Sequence, residues 1–370
     1  MKILILDTYY PALLNSLQIY GEKYSEVWQS VMNKFFGVSD AYSSNLKTFD
    51  IDAHEVIVNF KTLQELWCNE KGFTIPKGKR WTFRMRRGIV PWASRKEDES
   101  WVFKALSFQV EHLKPDIIYI QDINYIPRKW LEKVKRYAKI VGQFGSTLKD
   151  SCPLDLCDLL LTSFPHAVPR YREKGLKIIY FRLGFDNRVL SLLNSKCEQE
   201  DIDVSFIGGI NTKVHYSTIP VLEAVSKKYK LKWWGYGVET LPNDSPLKVS
   251  YQGTVWGLEM YQLLSRSKIT LNRHTKAAEN FANNMRLYEA TGVGTLLLTD
   301  YKDNLSDLFE LEKEVITYRS PEEAIEKIKY YLEHEDERVK IAKAGQERTL
   351  HEHTYAHRMK ELAEILKKHL

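Results

Sequence analysis

Short aliphatic runs, apolar on both faces, return along this chain between longer helical patterns, and few folds accept that arrangement. In the first half they are KILILD (2–7), AHEVIVN (53–59), DIIYIQD (116–122), KIVGQFG (139–145), LLLTSF (159–164) and KIIYFRLGF (177–185). Strands buried on both faces need a parallel sheet with helices on either side, and segments such as RKWLEKVKRYA and VPRYREKG supply the helices. The first half therefore reads as a doubly wound α/β domain. After a polar stretch the pattern restarts with VSFIGG (204–209), KWWGYG (232–237), KITLN (268–272), GTLLLTD (294–300) and EVITY (314–318). STIPVLEAVSKKY, LEMYQLLSRS, NNMRLYEAT and NLSDLFE read as the helices between them.

A chain of 370 residues exceeds what one core fills, so two domains are expected. The reading places the first at 1–187, a linker at 188–203, the second at 204–352, and a last helix at 353–370 packing back on the first domain. Ser320 as N-cap, Pro321 at the first helical position and Glu323 closing a capping box specify one helix start. In the final helix Met359, Leu362, Ile365 and Leu366 form one apolar stripe, which requires a docking surface. Two such domains leave a cleft, and ligands in open α/β sheets sit at the carboxyl ends of the strands.

The net charge of +6 suits a protein that handles anionic small molecules or rests on an anionic membrane surface. It is weaker than a dedicated nucleic-acid binder shows, so no nucleic-acid partner is expected. Cys68, Cys152, Cys157 and Cys197 form no CxxC pair and read as reduced thiols. The opening MKILILDTYYP is too short an apolar run for a secretory signal or a membrane span, and the expected setting is cytoplasmic, either free or peripheral at the inner face of the membrane.

Residues 72–101 do not fit the repeat. They combine Pro, Gly, three tryptophans and the basic residues Lys77, Lys79, Arg80, Arg84, Arg86 and Arg87. The expectation is a long loop, either solvated and pinned by Trp81 and Trp92, or one that uses Arg84, Arg86, Arg87 and Trp92 to bind an acceptor or an anionic surface.

Several chemical needs coincide in the second half. The turn FIGGIN (206–211) ends a strand and precedes a helix, so its backbone amides at Gly208, Gly209 and Asn211 can approach a phosphate, with Lys213 beyond. In NNMRLYEATGVGTLLLTD (283–300), a helix beginning near Asn283 or Asn284 would aim its free amides at a diphosphate while Arg286 offers a fork for a phosphate oxygen. Glu289 lies one helical turn further on, about 5–6 Å along the axis, close to the span from a diphosphate to ribose hydroxyls. The competing reading is an Arg–Glu pair on a solvated helix face. Arg273, His274 and Lys276 follow another strand end and would gather around the same anion.

Metal readings are weaker. DID (201–203) matches a short DxD pattern but sits in the linker, and His353 and His357, with His351 nearby, lack a completing ligand. GxSxG and Walker signatures are absent from the sequence.

From Asn283 to Arg358 the sequence resembles the C-terminal half of the group 1 glycosyltransferases, in the branch of the CgeB-type spore maturation proteins. The pattern is carried by Arg286, Glu289, Gly292, Asp300, Tyr318, Pro321 to Glu323, and His353 to Tyr355 with Arg358. KPDIIYIQD, GQFGS and DLLLTSFPHAVPRYREKGLKIIYFRLGFD are similar to that branch too. The resemblance implies the GT-B fold: two Rossmann-like domains facing across a cleft, a nucleotide-sugar donor on the second, an acceptor on the first, and a crossing last helix. It implies glycosyl transfer to a glycan, lipid-linked or protein acceptor, with no metal or other cofactor. Carried over by position, Glu289 binds ribose, the amides of Asn284, Met285 and Arg286 bind the diphosphate, and Gly208 and Gly209 form the opposing loop. Arg273, Arg286 and Lys213 offset the leaving charge.

One position departs from the family. A second glutamate often stands eight positions before the ribose glutamate, whereas here Phe281 occupies that place and Glu279 is two residues off. Candidates for a catalytic base are Asp7, Asp122 and His166; retention of configuration, which needs no such base, is favoured by the family analogy. Alternative functions are a non-catalytic protein binding polyanions or a membrane surface, and a sugar-nucleotide epimerase or hydrolase.

Overall fold

The computed structural model describes residues 1–76, 100–193, 200–210 and 218–370 in full, together with the backbone of 79–86 and 90–97. The chain divides into two compact units. One comprises Met1–Asn33, Asp50–Gln143 and Lys149–Asp158, and the other Lys34–Phe49, Phe144–Leu148 and Leu159–Leu370.

The first unit is built on β1 (Lys2–Asp7), β2 (Asp52–Ile57), β3 (Lys79–Arg86), β4 (Val90–Glu97), β5 (Ile117–Ile120) and β6 (Lys139–Phe144). Four of these run parallel in the order β2-β1-β5-β6, with Ile3 opposite both Ala53 and Ile117. Ile3 to Leu6 are buried, as a strand covered on both faces requires. The other two form an antiparallel hairpin, Lys79 opposite Glu97 through Arg86 opposite Val90. The expected loop at 72–101 is therefore corrected to a β-hairpin. RWTFRMR alternates basic and apolar residues with the period of a strand, a signal obscured by the flanking Pro and Gly.

The second unit holds the parallel pair β7 (Leu159–Thr162) and β8 (Ile178–Tyr180) and a five-stranded sheet. That sheet consists of β9 (Ile202–Ile207), β10 (Leu231–Trp234), β11 (Ser267–Asn272), β12 (Leu296–Asp300) and β13 (Ile316–Tyr318). All pairs are parallel, in the order β10-β9-β11-β12-β13. The strand period divides β12 between two cores. Leu296 and Leu298 join Val204, Ile269 and Leu271 beneath the helices Ile219–Ser226 and Pro321–Glu333. Leu297 joins Ile207 beneath Gly257–Ser265 and Arg286–Gly292 on the opposite face.

The Ser320 hydroxyl accepts the Glu323 N–H at 3.2 Å, as expected, but the Glu323 carboxylate takes the Arg319 N–H at 2.7 Å and not that of Ser320. In the final helix, Tyr355–His369, Met359, Leu362 and Leu366 are buried while Ile365 is only partly so. Tyr355 packs on Tyr42 of the helix Ala41–Leu46, ring centroids 5.7 Å apart. Among the described residues no helix is long and apolar enough to cross a membrane.

Candidate functional site

In the second unit's sheet the chain leaves β9 for β10 on one side and returns to β11 on the other. The connections diverge between the carboxyl ends of β9 and β11, and sheets of this order bind ligands in the crevice outside that point. Gly208 and Gly209 follow β9, and Arg273 and His274 follow β11. The glycine turn is fastened to the end of β10: Gly208 N–H donates to the Trp234 carbonyl at 2.9 Å, and Trp233 Nε1 donates to the Gly208 carbonyl at 2.9 Å. A Cβ on Gly209 would stand 2.3 Å from the Tyr236 ring, so a larger residue there would require the exposed tyrosine to move.

Arg286 opens the short helix Arg286–Gly292. Its Nη1 lies 2.9 Å from Glu289 Oε2, and its Nη2 donates to the Ile207 carbonyl at 3.1 Å, tying the helix to the end of β9. Glu289 is 6% exposed, which removes the solvated-face reading of the pair. Burial pushes the Glu289 carboxyl above its usual range, and Arg286 opposes that shift. Burying two charges is costly unless each meets the other, which these do.

The helix begins at Arg286, later than the expected Asn283 or Asn284, with Met285 as its N-cap. The asparagines are engaged elsewhere. Asn284 and Asn272 exchange amide hydrogen bonds, Asn284 Nδ2 to Asn272 Oδ1 at 2.7 Å and Asn272 Nδ2 to Asn284 Oδ1 at 3.2 Å. Asn283 Nδ2 donates to Ser163 Oγ at 3.3 Å. This stretch is therefore held as a loop against β7 and β11.

Asp300, buried at the end of β12, organises the cations beside it. Its Oδ1 accepts the His274 backbone N–H at 3.0 Å and lies 2.8 Å from His274 Nδ1; Lys302 Nζ stands 3.5 Å from Oδ2. Burial raises the Asp300 carboxyl, but the His274 hydrogen bond and the charges of His274, Lys302 and Arg273 outweigh it, and the group sits below its usual range. A carboxylate can only accept, so the His274 ring donates through Nδ1 and, when neutral, leaves Nε2 as an acceptor. That atom is buried and has no hydrogen-bond partner among the described residues.

The departing loop is anchored as well. Glu279 forms a two-pronged pair with Arg170, 2.7 and 2.9 Å, and lies 3.9 Å from His166 Nε2. Phe281 stacks on His166 with ring centroids 5.2 Å apart. Burial lowers the His166 pKa, with Glu279 pulling the other way.

In the first unit the order β2-β1-β5 places another such divergence between the carboxyl ends of β1 and β5, where Asp7 and Asp122 stand. Thr8 connects them: its N–H donates to Asp7 Oδ1 at 2.7 Å and its hydroxyl to Asp122 Oδ2 at 3.3 Å. Burial pushes Asp7 up to about 7, against the Thr8 hydrogen bond and with help from Asp122. Two of the three candidate bases are thus brought together, and His166 belongs to the other unit. Because the folded chain holds this proton more tightly than the unfolded one, stability falls as pH rises from about 4 to about 7 and then levels. Asp7→Asn is expected to raise the melting temperature at pH 8, by roughly 2–4 °C for each kcal/mol relieved, and to leave it unchanged at pH 4. Melting curves that coincide at both pH values would contradict the assignment.

The other readings resolve locally. His353 is buried, with Nε2 2.8 Å from the Leu308 carbonyl, and burial lowers its pKa to about 4; His357 Nδ1 lies 2.7 Å from Thr354 Oγ1 at a helix start. Asp201 accepts from Arg266 Nε at 2.8 Å and Asp203 pairs with Lys268 at 2.7 Å. Cys68, Cys152 and Cys157 are free thiols. Asn211, Lys213, Arg87 and Cys197 lie outside the described residues, as do the side chains of Arg84, Arg86 and Trp92.

Comparison with known proteins decides the fold. Residues 219–364 match the family model described as glycosyl transferase-like. A search of curated proteins gave no match. Among solved structures, the chain is similar to a glycosyltransferase from Rickettsia africae, with 14% identity, TM-score 0.58 and coverage of 99% and 98% of the two chains. Anabaena HepE in complex with UDP-glucose gives 12% identity, TM-score 0.58 and full coverage of both chains. S. aureus TarM, a variant in complex with fondaparinux, alpha-GlcNAc-glycerol and UDP, gives 10% identity, TM-score 0.60 and coverage of 98% and 99%. The fold is GT-B.

Within this GT-B chain, the family match spans Arg273, His274, the 283–289 segment and Asp300, and β9 with its glycine turn precedes it. Asn272, Asp300 and Arg170 were not singled out from the sequence as parts of the site. Their signals are long-range pairings, 12 to 109 residues apart, which a single sequence does not print.

Proposed function

We propose that the protein is a glycosyltransferase that takes its sugar from a nucleotide diphosphate donor bound at the crevice between the carboxyl ends of β9 and β11. The observation that carries this reading is the buried Arg286–Glu289 pair at that edge, within residues that match the glycosyl transferase-like model. Glu289 would accept the ribose hydroxyls. Arg273, Arg286 and the ring of His274, fixed by Asp300, would face the diphosphate, together with the amides of Gly208, Gly209 and residues 284–286. Such cations and amides offset the leaving charge without a metal.

In the transfer, the bond from the sugar C1 to the diphosphate oxygen breaks with its electron pair leaving on the diphosphate, and the acceptor oxygen bonds C1. Under retention, which the resemblance favours, the acceptor proton passes to the departing phosphate oxygen. Asp7 and Asp122 then act on binding and not as bases. The acceptor is a glycan, lipid-linked or protein hydroxyl bound by residues 1–187, and the donor belongs to 204–352.

A thermal-shift screen of UDP, GDP, dTDP, ADP and CMP tests the donor reading. One nucleoside diphosphate is expected to raise the melting temperature in a dose-dependent way, equivalent to about 2.7 kcal/mol at a hundred times its Kd. Donor sugar consumed at the same rate with and without acceptors would point to a hydrolase. No shift with any nucleotide would sink the proposal.

A further inference from the structure

The first unit carries a groove that the donor reading leaves unused. About 710 Å³ in volume, it lies between the helices Trp101–Leu113 and Arg128–Val134. Its aromatic lining is Phe73, Phe103, Phe108 and Trp130. Phe73 and Phe108 stack with centroids 4.6 Å apart and planes within 19°, and Phe103 meets Trp130 at 6.1 Å.

Two features narrow the occupant. First, the lining offers few directional groups. Four aromatic rings make up most of the wall, and the Ser107 hydroxyl within it already accepts from Trp130 Nε1 at 3.1 Å, so the wall offers chiefly apolar contact. Second, the charge is one-sided. Among the described residues, Lys104, Lys129 and Lys133 border the groove against one acid, Glu111, which stands 3.6 Å from Lys133. Lys104 and Lys129 are exposed and have no ion-pair partner among the described residues. An apolar wall beneath uncompensated ammonium groups is complementary to one ligand chemistry, a hydrocarbon chain ending in an anionic head.

We propose that this groove seats an acyl chain of an anionic membrane lipid, with Lys104 and Lys129 on its phosphate, and so docks the protein on a negatively charged bilayer surface. None of these residues belongs to the donor crevice, so the proposal stands or falls separately from the transferase reading.

The test is co-sedimentation of the full chain with vesicles of phosphatidylglycerol and phosphatidylcholine, set against vesicles of phosphatidylcholine alone. Binding is expected on the anionic vesicles and at least tenfold weaker on the neutral ones. Each lysine near a charged surface is worth about a fivefold change in partition, so Lys104→Gln with Lys129→Gln should weaken binding roughly 25-fold. Phe108→Ser should remove the fraction that survives 0.5 M NaCl, because salt screens the ammonium contacts but not the apolar one. Circular dichroism melts of each variant establish that it is folded. The nucleotide-induced thermal shift should be the same in the lysine variants as in the parent.

Absence of vesicle binding overturns the proposal, as does equal binding to neutral vesicles. So does binding that ignores the lysine changes but is lost in Arg84→Glu, Arg86→Glu, Arg87→Glu, which would assign docking to the hairpin. Binding that salt removes completely and Phe108→Ser leaves unaltered would show that no chain enters the groove.

Discussion

Glu289→Gln is expected to lower the melting temperature and also to cut the stabilisation given by a nucleoside diphosphate. The first effect follows from burial. With Glu289 neutral, the Arg286 guanidinium keeps the Ile207 carbonyl but loses the carboxylate 2.9 Å away, and breaking a buried pair from one side costs about 3–5 kcal/mol. The second effect is separable. Arg286→Met together with Glu289→Gln removes both charges, so most of the lost stability should return while the nucleotide shift stays reduced. A charged hydrogen bond to ribose is worth about 1.5–3 kcal/mol, so the single variant should bind the nucleotide at least tenfold more weakly. Retention of the full shift at unaltered nucleotide concentration in the double variant would make the pair a structural fixture only.

Much of this arrangement was readable in the sequence because it follows from local pattern. LLLTD and KILILD are apolar on both faces, and that requirement alone calls for a parallel sheet with helices on each side. Strand order is not local. That β10 and β11 flank β9, one on each side, depends on which way the connecting helices cross, and nothing in KWWGYG or KITLN states it. Arg286 and Glu289 were legible as a pair of interest, but the sequence assigned one to phosphate and the other to ribose. Their bond to each other, and the Ile207 carbonyl that holds the arginine, arise from tertiary packing. The late start of their helix has the same origin, since Asn284 would suit an early helical position until Asn272 takes its amide. Glu279 is the sharpest case. It stands two residues off the family's second glutamate, and Arg170, 109 residues earlier, holds both its oxygens.

That distinction between an acid that meets the ligand and one that holds its neighbours bears most on Asp300, which read from the sequence as the end of a strand and a family landmark. Asp300→Ala is expected to reduce stability by about 3–5 kcal/mol, because the backbone N–H and Nδ1 of His274 lose their acceptor in a buried place. The pH dependence identifies the cause. The folded carboxyl sits below the ordinary value of 3.8, so its contribution is fully present above that value and is lost as pH falls through the folded pKa. The gap in stability between parent and variant should therefore close as pH falls below about 4. Catalytically, His274 and Lys302 lose the group that orients them, so KM for the sugar nucleotide should rise at least tenfold, with a smaller change in kcat. Asp300→Glu, which keeps the charge on a longer arm, should recover part of the stability but less of the KM, because the ring of His274 is displaced. A KM unchanged in both variants would place His274 and its unpartnered Nε2 outside the donor crevice and leave Asp300 a purely structural acid.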